Sequence, residues 1–92
     1  MELLTEDEIA AQLSNVPGWA REGTSITRTV TRADFRGAML FVGAVAYLAE
    51  EANHHPDIMI AWNRVTLTLS THSAGGLTAA DFGLAARINA LG

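Results

Sequence analysis

The sequence predicts an α+β fold, αββαββα, in which a four-stranded antiparallel sheet carries three helices packed on one face. Three observations predict it. Ser/Thr-x-x-Asp/Glu boxes open three helical apolar patterns, at Thr5 with Glu8, Thr31 with Asp34 and Thr78 with Asp81. In such a box the hydroxyl and the carboxylate satisfy N–H groups that the first helical turn leaves unpaired. Between the patterns lie two pairs of short runs joined by turn residues, which read as hairpins. The last run alternates, with Val65, Leu67 and Leu69 on one side and Thr66, Thr68 and Ser70 on the other. One apolar and one polar side describe a sheet covered on a single face.

The elements follow in order. The first helix spans about Glu6 to Leu13 and stops before Pro17-Gly18. Strands over Trp19 to Glu22 and Ser25 to Val30 flank Gly23-Thr24, and Trp19 is a core candidate. The second helix spans about Ala33 to Asn53 and ends at a His-His-Pro segment. Strands over Asp57 to Trp62 and Val65 to Thr71 flank an Asn63-Arg64 turn. Gly75-Gly76 lacks the glycine spacing of a phosphate loop and reads as a tight turn. The third helix runs from about Ala79 to Leu91, with Leu84, Ile88 and Leu91 on one face.

Composition narrows the function classes. The 92 residues are 49% hydrophobic, enough for one domain (1–92) around one core. The absence of cysteine removes disulfides, zinc–thiolate sites and a thiol nucleophile, and fits a reducing cytoplasmic setting. Ten acidic residues oppose six scattered arginines, for a formal charge of −4, with no lysine. Direct nucleic-acid binding needs a concentrated basic face and is disfavoured. The longest uncharged apolar stretch, Gly37 to Ala49, is shorter than the roughly 20 residues a bilayer span needs, so no membrane partner is expected.

That stretch has another consequence. Phe35, Met39, Val42 and Ala46 form one stripe of the second helix, while Leu40, Phe41, Ala44, Tyr47 and Leu48 form others. A helix apolar on most sides is buried on most sides. One small sheet cannot cover it all, so a second copy of the chain is expected to.

All three histidines lie in two blocks, Glu50–Asp57 and Ser70–Leu77. Pro56 pushes His55 out of helical geometry, which allows His54 and His55 to line one pocket from different walls. The second hairpin returns His72 beside them, and Glu50, one turn before His54, is placed to orient that ring. Three imidazoles suit either zinc or proton transfer. The spacing departs from the i, i+4 metal pattern and lacks supporting carboxylate or thiolate ligands, which favours proton transfer.

The E-x-x-x-H-H-P segment at Glu50–Pro56 and the T-H-x-x-G-G-L segment at Thr71–Leu77 resemble the pterin-4a-carbinolamine dehydratase family. The resemblance covers Glu50 to Asp81 and implies the same αββαββα fold. It implies dehydration of 4a-hydroxytetrahydropterin to quinonoid dihydropterin, which recycles the cofactor of aromatic amino-acid hydroxylases. By position, His54, His55 and His72 become the acid–base set. Glu50, Asn53, Ser70, Thr71, Ser73 and Asp81 become substrate contacts. No cofactor or metal is implied, and the chain is expected as a homodimer or homotetramer. The alternative is a non-catalytic protein-binding or dimerisation module of the same fold. Relatives that assist enzyme assembly tend to lose the histidine motif, and here it is intact. Asn53 stands where some members carry Asp, and Ile58 where some carry Trp, so an aromatic wall beside the pterin is expected to be missing. Asp81 also fits a purely capping role, while Trp62 and Asn63 read as hairpin residues.

Overall fold

The structure, a computed structural model, describes residues 2–92. Helix α1, Glu6–Leu13, opens on Thr5, whose hydroxyl accepts from the Glu8 N–H while Glu8 accepts from the Thr5 N–H. Strand β1, Ala20–Glu22, and β2, Ser25–Thr31, form the first hairpin; helix α2, Phe35–Ala52, follows. Strands β3, Asp57–Ala61, and β4, Arg64–Leu69, form the second hairpin, and helix α3, Ala79–Asn89, ends the fold. This is the predicted αββαββα order.

The sheet is antiparallel throughout, in the order β1-β2-β4-β3. Its register pairs Ile26 with Leu69 and Val30 with Val65, so the apolar residues of β2 and β4 share one face. Against that face lie Ala38, Phe41, Val45 and Ala49 of α2, Phe82, Leu84, Ala85 and Ile88 of α3, and Ile9 of α1. Ile26, Leu67, Leu69 and Ile88 have no exposed surface, and each such side chain contributes about 1.5–3 kcal/mol. Trp19 is buried as expected, and its indole N–H donates to Asn89 Oδ1 at 2.9 Å. The opposite face carries Thr27, Thr29, Thr66, Thr68 and Ser70 and no helix of the described residues.

Several boundaries move, each for a local reason. Thr31 caps no helix: it ends β2, in register with Arg64. Asp34 is the N-cap of α2, accepting from the Gly37 N–H at 2.7 Å, so the helix starts at Phe35. The second hairpin turns at Trp62-Asn63 rather than Asn63-Arg64, with Trp62 at φ 53°. Asn63 fixes that turn by donating to the Arg32 carbonyl at 3.0 Å while the Arg32 N–H donates back to the Asn63 carbonyl. Helix α3 stops at Asn89, short of Leu91.

Helix α2 keeps its oddity. Leu40 is 71% exposed and Tyr47 65%, with Phe35 and Met39 beside them, although Phe41 and Val45 of the same helix are buried. No helix of the described residues is long and apolar enough to cross a membrane.

Candidate active site

The site forms where the end of α2, the start of β3 and the exit of β4 meet. Asn53 ends α2 in the left-handed region, at φ 49° and ψ 43°. Asparagine tolerates that conformation better than most residues, because its short amide bonds locally. The reversal throws the next two side chains apart, and the adjacent imidazoles take different surroundings.

His54 turns toward α3. Its Nε2 lies 2.6 Å from Asp81 Oδ1, with Asp81 fully buried and the His54 side chain 15% exposed. Asp81 Oδ2 accepts from the Thr71 hydroxyl at 2.8 Å and from the Thr78 N–H at 2.9 Å. The Thr71 and Thr78 hydroxyls lie 2.8 Å apart. One carboxylate thus ties together the end of α2, the exit of β4 and the start of α3, while still closing the predicted capping box. Among the described residues no buried side-chain polar atom lacks a partner.

His55 turns the other way, to the open side of the sheet. Its Nε2 meets Glu50 Oε2 at 2.6 Å, so Glu50 orients His55 and not His54 as its helical spacing suggested. Both partners are exposed, so the contact adds about 1 kcal/mol at most and its consequence is orientation. With the Nε2 hydrogen donated to an ionised Glu50, Nδ1 is the basic nitrogen of the neutral ring. His72 begins a short 3-10 turn, His72–Ala74, closed by Gly75 at φ 79°, where a left-handed residue is needed. Among the described residues its ring has no hydrogen-bond partner.

A cavity of about 210 Å³ lies between these rings, lined by Thr24, Ser25, His55, Asp57, Thr68, Ser70, His72 and Gly75. Of the residues singled out by sequence, His55, His72 and Ser70 line it, and Glu50 reaches it through His55. His54, Thr71 and Asp81 form the buried network behind it, and Asn53 and Ser73 are outside its lining. The two adjacent rings therefore do not share one pocket. Ile58 pairs with Leu67 and packs against the core, so position 58 is not a cavity wall. Thr24, Ser25, Asp57 and Thr68 escaped the sequence reading. The alternation of β4 was the available signal for Thr68, and Asp57 directly follows His-His-Pro. Among the described residues no three His, Asp or Glu side chains are grouped to hold a metal ion.

Fold and cavity together define a small two-layer α+β protein with a polar pocket that two imidazoles line. The chain belongs to the pterin 4 alpha carbinolamine dehydratase family, whose model matches residues 2–91. A Chloroflexus aurantiacus protein is 55% identical over 89 residues, covering 97% of this chain and 96% of its own length. A Roseiflexus castenholzii protein is 53% identical over 87 residues, covering 95% and 94%. Both carry the provisional name pterin-4-alpha-carbinolamine dehydratase. A crystal structure of a transcriptional coactivator/pterin dehydratase from Brucella melitensis superposes with a TM-score of 0.92 at 38% identity, over 97% of both chains. A pterin dehydratase-like protein described as a RuBisCO assembly factor of the alpha-carboxysome matches less closely. Its TM-score is 0.69 at 26% identity, over 84% of this chain and 92% of that one.

Proposed function

We propose that this chain dehydrates a 4a-hydroxytetrahydropterin to the quinonoid dihydropterin and water, with His55 and His72 as the acid–base pair. The observation that carries the reading is the cavity itself, into which two imidazoles from different elements converge while a carboxylate orients one of them. In the reaction one imidazolium protonates the departing C4a hydroxyl as the C–O bond breaks. The other imidazole takes the N5 proton as the C4a–N5 double bond forms. The proton given and the proton taken balance, so the pair is restored by one exchange with solvent. Each placed acid or base contributes about 10²–10⁴-fold.

His54 has a different part in this reading. It is a positioning residue: through Asp81 it fixes the segment from which His55 projects. Ser70 binds substrate, its hydroxyl held by the Thr24 carbonyl at 2.8 Å. Glu50 orients His55, and Thr71 and Asp81 support the site from behind. Asn53 shapes the chain reversal. The product returns to tetrahydropterin in the cycle that supplies aromatic amino-acid hydroxylases.

Stopped-flow breakdown of 4a-hydroxytetrahydropterin tests the proposal. Wild type accelerates the spontaneous reaction. His55→Ala and His72→Ala each lose about 10²-fold or more, whereas His54→Ala loses less activity and more stability. If wild type adds nothing to the spontaneous rate, the enzyme reading fails. The second reading, a protein-binding module, is favoured by the exposed stripe of α2. We assign that stripe to further copies of this chain, in a homodimer or homotetramer.

A further inference from the structure

We propose that Asp57 is the group that recognises the 2-amino-4-oxopyrimidine half of the pterin, and so sets the site's preference for pterins over other bicyclic heterocycles. The proposal rests on the pterin reading above and assigns a residue to its specificity. Among the described residues lining the cavity Asp57 is the one carboxylate, and none is an arginine. The neighbouring carboxylates are engaged elsewhere: Glu50 with His55, Asp81 with His54, and Glu51 with Arg87. The Asp57 side chain is exposed and, among the described residues, has neither a hydrogen bond nor an ion pair.

Its backbone, by contrast, is fixed. Pro56, its own φ locked by its ring, leads directly into it, and Asp57 opens β3 in register with Thr68, which also lines the cavity. A carboxylate without an intramolecular partner, held on a regular strand and aimed at a cavity between two imidazoles, is preset to accept from a ligand. The pterin ring offers a matching edge. Its N3–H and one 2-amino N–H point the same way and suit the two oxygens of a carboxylate, in a bidentate, charge-assisted pair. With that edge on Asp57, the far half of the ring, which carries C4a and N5, is left for the imidazoles. His55 and Asp57 are two residues apart in the chain, so the anchor and one proton-transfer group are set by the same segment.

The test compares binding of pterin and of pteridine-2,4-dione by titration calorimetry. The dione presents a carbonyl where pterin presents the amino group, and that oxygen opposes a carboxylate. Wild type is expected to bind pterin more tightly. Asp57→Asn, which is isosteric and offers an amide donor, should weaken pterin binding roughly 10- to 100-fold and abolish or invert the preference. Asp57→Ala should weaken pterin binding without favouring the dione. In the dehydration assay both variants should raise KM with kcat within a few-fold of wild type, which a general loss of structure would not do. If both variants keep the wild-type preference, Asp57 is not the anchor, although the pterin reading stands. If wild type binds neither ring, the pterin reading and this assignment fall together.

Discussion

Replacing Asp81 by alanine tests whether the junction behind the cavity is held by one buried carboxylate. Three groups donate to it: the His54 ring, the Thr71 hydroxyl and the Thr78 N–H, at 2.6, 2.8 and 2.9 Å. The losses differ. Thr71 retains the Thr78 hydroxyl at 2.8 Å, and the His54 ring, being 15% exposed, regains water in part. The Thr78 N–H loses its acceptor at a position with no exposure, which costs about 1–3 kcal/mol, and the charge-assisted bond from His54 contributes about 1.5–3 kcal/mol. Asp81→Ala is therefore expected to destabilise the fold by roughly 3–5 kcal/mol, a large share of the 5–15 kcal/mol typical of a domain. At 4–8 °C per kcal/mol for a chain of this size, Tm falls by roughly 12–40 °C. Asp81→Asn keeps one acceptor oxygen but turns an amide donor toward another donor, and its loss is intermediate. Urea unfolding with an unchanged slope is the assay. A loss below about 1 kcal/mol for Asp81→Ala would mean that the network does not hold the junction, and the positioning role of His54 would go with it.

Two further outcomes follow from the surface. If copies of the chain cover α2, light scattering gives the mass of two or four chains, and Leu40→Asp, at a 71% exposed position, shifts it to one; a wild-type mass of one chain at micromolar concentration refutes this. The second concerns Glu6, whose carboxyl is held below its usual pKa first by hydrogen bonds from Arg21 and then by that residue's charge. A lowered carboxyl pKa stabilises the folded state above the unfolded value and ceases to as pH falls through the folded one. Glu6→Gln is thus slightly less stable than wild type at pH 7, and the two converge on acidification; a difference that persists in acid contradicts the sign.

The chain's periodic signals read out well, and its long-range pairings did not. The bounds of α1, the two-faced alternation of β4 and the Thr78–Asp81 box were all legible, because each depends on neighbours a few residues away. The Thr31–Asp34 box failed because Thr31 was claimed by the sheet, in register with Arg64, a partner that local spacing does not reveal. The Glu50 contact failed for a related reason. The i, i+4 rule assumes that the helix continues, but Asn53 leaves helical geometry at φ 49° and Glu50 meets the residue five positions on. The pairing of His54 with Asp81, across 27 residues, had no local signature at all. Asp57 was overlooked because it read as the opening residue of a strand, and nothing local marks a lone acidic residue there as part of a site.

The two faces of the sheet impose different rules on their polar residues, and the division of the histidines follows from that. On the helix-covered side a carboxylate as buried as Asp81 must have its oxygens occupied, so His54, Thr71 and Thr78 are committed to it. On the open side water satisfies what the chain does not, so His72 and Asp57 can stand without intramolecular partners at little cost. A group already saturated by its own chain has little to offer a substrate, whereas an unpaired one can exchange a wet contact for a ligand. The left-handed residue at Asn53 is what distributes consecutive imidazoles between these regimes, one to hold the junction and one to face the cavity. A substitution at Asn53 that restored helical geometry would therefore strike both at once, withdrawing His54 from Asp81 and His55 from the cavity.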